Sequence, residues 1–193
     1  MKLKKVIRIL GGLVVLFSLV TEVHAKGKKA LVIGNAAYSK EAPLVNTLND
    51  AKDIATKLKT MGFTVTLRTN SNSKLMEKQI NRFLWDIENS DDTALIFYSG
   101  HGIQDRNKIS YLLPVDAEIK HQSDIVSEGI SVNGILNRLK ERPRDAISLV
   151  VLDACRNNPF ASKRGGKGLS RVTPPSGTLV LYAASPDQTA EDN

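Results

Sequence analysis

Two hydrophobic periods alternate along this chain. Lys29-Ala-Leu-Val-Ile-Gly34 is a short apolar run closed by Gly34-Asn35, and it predicts a buried strand. After a loop over 36–47 containing Pro43, Leu48, Ala51, Ile54, Ala55, Leu58 and Met61 recur at helical spacing, with Thr47 or Asn49 as N-cap and Gly62 as the stop. Phe63-Thr-Val-Thr-Leu67 alternates and predicts a second strand, so the chain opens β-α-β. Residues 71–73 offer a cap for a second helix with an apolar face of Leu75, Ile80, Phe83, Leu84 and Ile87, ended by the polar stretch 88–92.

Thr93 to Tyr98 is apolar without alternation, which predicts a third strand buried on both faces, as in a parallel sheet between helices, with His101 at its tip. Residues 103–130 read as loop-rich, with a short strand over Ile109 to Leu113 ended by Pro114. Ile130 to Leu139 predicts a third helix capped by Ser131 and stopping before Pro143. A fourth main strand, Ile147 to Leu152, carries Cys155 just beyond it, and Gly177 to Ala183 reads as another buried strand. The whole predicts an α/β fold of three layers, α/β/α, with a mostly parallel central sheet. Such a sheet ordinarily covers its final strand with a crossover helix, and residues 184–193 are short for one, so the domain over 26–193 is expected to lack its C-terminal end.

Composition narrows this picture. A chain of 193 residues with 41% hydrophobic content can bury one core and is short for two ordinary domains. Its first residues stand apart: a basic stretch, Met1 to Arg8, then the apolar run Ile9 to Val20, then Val23-His-Ala25, which fits the small-x-small cleavage rule. Residues 1–25 are expected to be a secretory signal peptide, which implies an exported protein, periplasmic or secreted, with no stable membrane span after cleavage. The formal charge of +7 falls to about +4 once Lys2, Lys4, Lys5, Arg8 and Glu22 are set aside. The remaining cations are interleaved with acids except around Lys163 to Arg171, so nothing calls for a nucleic-acid partner.

Export gives the single cysteine meaning. A lone thiol in an oxidising compartment cannot form an internal disulfide, so it is either buried and inert or used. Cys155 stands at the polar end of a strand, 54 residues after His101, and in open α/β sheets ligands bind beyond the carboxyl ends of the strands. Asn35 and the stretch from Ser185 fall at that same end. An imidazole can take the thiol proton or stabilise the thiolate, and of the three histidines His24 leaves with the signal and His121 sits in a polar loop. The glycines flanking His101 would let a substrate backbone approach, and the amides of Gly102 and Cys155 are candidate oxyanion donors. The bland alternative is a hydrogen-bonded structural histidine. Neither phosphate-loop pattern occurs, and one thiol, one usable histidine and scattered acids do not make a zinc set.

Tyr98-Ser-Gly-His-Gly102 and Asp153-Ala-Cys-Arg156, with Lys29 to Asn35 before and Tyr182 to Asp192 after, resemble the caspase-like cysteine peptidases, in particular bacterial metacaspase-type proteins. The resemblance covers about residues 27–193 and implies a caspase-like fold, with His101 as general base and Cys155 as nucleophile in peptide-bond hydrolysis through an acyl-enzyme. Animal caspases have Gln two positions before the cysteine to help receive a substrate Asp; here that position is Asp153, and a carboxylate favours Arg or Lys at P1. The resemblance further implies Asp50 and Ser99 as pocket residues, with Asp187 a weaker match. Asp50 alternatively reads as an acid placed at a helix N-terminus by the dipole, and Asp153 as a strand-end acid bound to loop amides. Protein or peptide substrates with a basic P1 are the expected partners.

Two further expectations follow. The Gly-rich basic loop from Lys163 to Arg171 lies shortly after the nucleophile and suits self-cleavage, the alternative being a solvated charged loop. Many metacaspases need calcium, toward which Asp105, Asp116 and Asp124 are candidates, although no EF-hand-like loop is present. A catalytically silent caspase-like module acting in protein binding or scaffolding is the alternative function, and a different thiol hydrolase or transferase on a similar sheet a third.

Overall fold

The computed structural model describes residues 26–155 and 169–183, and for Cys155 its backbone. The segment 1–25, the glycines of 165–168 and Asp187 lie outside the described residues. The central sheet is built from five parallel strands, β1 (Lys28–Gly34), β2 (Thr64–Thr69), β3 (Thr93–Gln104), β6 (Ser148–Cys155) and β7 (Thr178–Tyr182), in the order β2-β1-β3-β6-β7. Two short strands, β4 (Ser110–Leu112) and β5 (Ile130–Ser131), continue antiparallel from the far end of β3.

Helices cover both faces. One face of β1 and β3, with Ala30, Val32, Leu95 and Phe97, packs on α1 (Thr47–Thr60) through Ala51, Ala55 and Leu58. The other face packs on α2 (Ser73–Ile87) and, beyond the short α3 (Asp124–Glu128), on α4 (Val132–Lys140). Strand alternation forces this division, since successive residues of a central strand point to opposite faces and both must be apolar. The result is the three-layer α/β/α arrangement expected from the sequence.

Several local expectations are corrected. The N-cap of α1 is Asn46; Thr47 lies inside the helix and its hydroxyl donates to the Asn35 carbonyl over 3.2 Å. In α2 Asn72 caps Leu75 N–H, but Leu75 itself is 48% exposed and Met76, one position on, is the buried residue. The strand β7 is only half-buried: Leu179 and Leu181 face solvent because no helix among the described residues covers that side of it. The most consequential correction is β3, which does not end before His101 but runs to Gln104.

Candidate active site

At its C-terminal half β3 changes partners. Up to Ser99 it is flanked by β1, and it pairs with β6 as far as His101, which stands opposite Cys155. From Gly102 onward it pairs with β4 instead, so His101 sits where the parallel sheet gives way to the antiparallel extension. The same register places Ser99 opposite Asp153, and the Ser99 hydroxyl donates to the Asp153 carboxylate over 3.3 Å. His101, Cys155, Ser99 and Asp153 are thereby collected at the carboxyl end of two adjacent central strands, where α/β sheets bind ligands.

Asp50 occupies the first turn of α1, which starts at this same end, its approach fixed by the contact of Gly34 with Thr47 and Ala51. A Cβ on Gly34 would lie 2.7 Å from the Ala51 Cβ and 2.9 Å from the Thr47 carbonyl oxygen, so a larger residue would push the helix away. Asn35 acts as scaffolding. Fully buried, it accepts from Ser71 N–H and donates to the Leu113 carbonyl, tying β1 to the loops that follow β2 and β4.

The imidazole of His101 is buried and its Nε2 lies 2.7 Å from the carbonyl oxygen of Ala42. A carbonyl only accepts, so Nε2 carries the proton, and in the neutral ring Nδ1 is then the acceptor. A neutral ring in this tautomer keeps one basic nitrogen, Nδ1, which is what a general base requires. Beneath it Tyr98 donates to the His101 carbonyl over 2.7 Å; burial, followed by the neighbouring Tyr38 phenol, holds Tyr98 well above the ordinary phenol range, so it remains a donor.

The glycines beside His101 have a packing reason that the sequence did not convey. A Cβ on Gly100 would fall 2.5 Å from the Tyr98 hydroxyl and 2.7 Å from that of Tyr38, and one on Gly102 would fall 2.9 Å from Leu169. The space at each is thus filled by the protein's own side chains. Leu169, two residues before the end of the basic 163–171 stretch, is itself buried in the core.

Ala42 was missed from the sequence because its contribution is a backbone carbonyl; the available signal was Pro43, which restricts the residue before it to extended conformations. The three candidate calcium ligands are not brought together as a set. Asp105 accepts from Ile109 N–H, Asp116 from Ser73 N–H, and Asp124 from the amides of Lys120 and His121; among the described residues no three His, Cys, Asp or Glu side chains group as a metal site. A cavity of about 620 Å³ opens at the opposite end of β6, against Arg142 and Ser148, away from this chemistry.

A three-layer α/β/α domain that sets a histidine and a cysteine opposite each other on neighbouring parallel strands is built as the caspase-like cysteine peptidases are. The sequence model of the caspase domain, peptidase family C14, matches residues 27–193, and the chain belongs to that family. It is 28% identical over 132 residues to the human (Homo sapiens) mucosa-associated lymphoid tissue lymphoma translocation protein 1, covering 68% of this chain and 15% of that protein. To mouse (Mus musculus) caspase-1 it is 27% identical over 136 residues, covering 66% of this chain and 30% of that one. The matched region is therefore a minor part of both relatives. Among solved structures, protein GSU0716 from Geobacter sulfurreducens superposes with a TM-score of 0.52 at 21% identity, over 68% of this chain and 51% of that one, a likeness of fold.

Proposed function

We propose that the chain is a cysteine endopeptidase that cleaves after Arg or Lys. The observation that carries this reading is the register of β3 on β6, which pairs His101 with Cys155 and, two residues earlier, Ser99 with Asp153. In the proposed reaction His101 Nδ1 takes the Cys155 proton and the sulfur attacks the scissile carbonyl, with the amides of Gly102 and Cys155 facing the oxyanion. The C–N bond breaks as His101 returns the proton to the leaving amine, and water, deprotonated by the same imidazole, then hydrolyses the thioester. The carboxylate of Asp153, held by Ser99 and assisted by Asp50, receives the basic P1 side chain. Export through residues 1–25 and self-cleavage between Lys163 and Arg171 belong to the same reading.

The test is hydrolysis of fluorogenic peptides with Arg, Lys or Asp at P1 by the chain lacking residues 1–25, with and without calcium, beside Cys155→Ala. Turnover of Arg and Lys substrates that Cys155→Ala abolishes is expected. Cleavage after Asp alone would overturn the pocket assignment; no turnover together with no labelling of Cys155 by a thiol-reactive peptide would overturn the enzyme and leave a binding module.

A further inference from the structure

At His101 the backbone has run past its parallel neighbour on one side. β1 ends at Gly34, opposite Ser99, and the last link of that ladder is Asn35 N–H to the Ser99 carbonyl, 2.9 Å. The Asn35 carbonyl takes the Thr47 hydroxyl, and the His101 N–H goes to the phenol oxygen of Tyr38, 2.7 Å away. A side-chain hydroxyl thus stands where a strand partner would have stood. Tyr38 comes from the loop that follows β1, and the Tyr38 ring also lies against the imidazole, with ring centroids 4.4 Å apart and planes inclined by 51°. The same loop supplies the Ala42 carbonyl to Nε2, so it holds the imidazole on its face and at its edge.

The loop is itself fastened. The side chain of Asn70, whose φ is +48°, accepts from the amides of Ala36 and Ala37; Ser39 N–H reaches the Val115 carbonyl; and Leu44 N–H returns to the Ala36 carbonyl. Tyr38 is buried, its hydroxyl 3.1 Å from that of Tyr98 and 3.2 Å from the Leu113 carbonyl, and Tyr98 in turn donates to the carbonyl of His101. Both backbone polar groups of His101 are in this way bonded to phenols that touch each other. If Tyr38 only filled the core beside Ile103, Tyr111 and Leu113, an apolar ring would serve as well and the hydroxyl would be superfluous.

We infer that Tyr38 is a positioning residue for His101, its hydroxyl fixing the backbone and its ring, with the Ala42 carbonyl, fixing the imidazole in the Nε2–H tautomer. The kinetic part rests on the peptidase reading; the tautomer part does not. Loss of the hydroxyl in Tyr38→Phe leaves a buried N–H without its acceptor while keeping the ring, and is expected to lower kcat about tenfold with KM little changed. Tyr38→Leu removes both constraints, and a misplaced base is expected to cost about a hundredfold in kcat.

The deciding measurement is nitrogen NMR of the full chain with 15N-labelled histidine at mildly alkaline pH, the His101 signals identified by their absence in His101→Gln. The native protein and Tyr38→Phe should give a single Nε2–H tautomer, and Tyr38→Leu shifts averaged between tautomers. A single Nε2–H tautomer in Tyr38→Leu, or a kcat unchanged in Tyr38→Phe, would overturn the inference. So would a rise in KM alone. Should Tyr38→Leu not fold, Tyr38→Phe carries the kinetic test. If the native chain hydrolyses no peptide, the enzyme reading fails and the tautomer comparison still decides the role of Tyr38.

Discussion

The Ser99 hydroxyl donates to the Asp153 carboxylate across the β3–β6 pairing over 3.3 Å, which fixes one oxygen of a partly exposed acid at the end of the sheet. A carboxylate so held is preorganised for a cation. Asp153→Asn keeps the shape and the Ser99 contact but removes the charge, and a desolvated charge pair of this kind is worth about 2–3 kcal/mol. The expected outcome is a fall in kcat/KM for Arg-P1 peptides of roughly 30- to 100-fold. Ser99→Ala should cost about fivefold, as for one hydrogen bond. Steady-state kinetics on matched Arg and neutral P1 peptides checks this: a loss equal for both substrates would place Asp153 outside the pocket.

Pro43 follows the residue whose carbonyl receives His101 Nε2–H, and proline confines the preceding Ala42 to extended conformations. Replacing it by glycine frees both residues. Pro43→Gly should lower kcat several-fold, leave KM unchanged, and cost about 1 kcal/mol of stability through the unfolded chain. Kinetics paired with a thermal melt separates the two effects. An unaltered kcat in a folded variant would show that the Ala42 carbonyl does not hold the base.

The order of strands and helices was legible because their apolar periods are long enough to be unambiguous: Leu31 to Ile33, then Ala51, Ala55 and Leu58 of α1, then Ile80, Phe83, Leu84 and Ile87 of α2 are buried as their spacing requires, although Met61, just past the end of α1, is exposed. The placement of His101 and Cys155 at one end of the sheet was legible for the same reason, since each follows an apolar run. What escaped was set by partners rather than by pattern. The extension of β3 past His101 depends on β4, a three-residue strand with no period of its own. Met76, by contrast, takes the core position because it stands four residues before Ile80, on the same face of α2, whereas Leu75, five before it, falls off that face and is exposed; the helical period itself carried this distinction. The burial of β7 was overestimated because an apolar run alone does not tell whether anything lies over it. Tyr38 gave one faint signal, the one aromatic residue of the 36–47 loop, and Ala42 gave none in its own side chain.

Arg142, one residue before Pro143, is buried and donates to five internal acceptors: the carbonyls of Ile87, Ser90, Asp92 and Ile147 and the hydroxyl of Ser148. Burial pulls its guanidinium below the usual value while Asp92 and Asp91 act the other way, and it stays charged, as arginine does in proteins. It fastens the end of α2 and the start of β3 to the start of β6, far from His101. Arg142→Ala would strand these acceptors, at a cost of about 3–5 kcal/mol. Lysine, with one compact charge in place of the fork, should restore only part of that. A melting temperature lowered by roughly 6–20 °C is expected in the alanine variant. A melt within about two degrees of the native one would sink this assignment.

Asp92 joins the residues leading into β1 to the start of β3: its carboxylate accepts from Gly27 N–H over 2.8 Å and pairs with Lys29 over 3.0 Å. Its hydrogen bond with Ser90 is the largest influence, and with Lys29 and the Gly27 amide it outweighs burial and holds the carboxyl below the usual aspartate range. The folded state therefore binds this proton less readily than the unfolded chain does. The stability it contributes is complete above the ordinary aspartate range and is lost as pH falls through the lowered folded-state value. Asp92→Asn removes the charge at every pH, so it should melt below the native protein at neutral pH, by a few degrees for a contribution of about 1 kcal/mol. On acidification the two melting curves should converge, because the native carboxyl becomes neutral as well. Melts of both proteins from neutral to strongly acidic pH test this directly: a gap that persists unchanged at the acid end would mean that Asp92 acts through shape and not through charge.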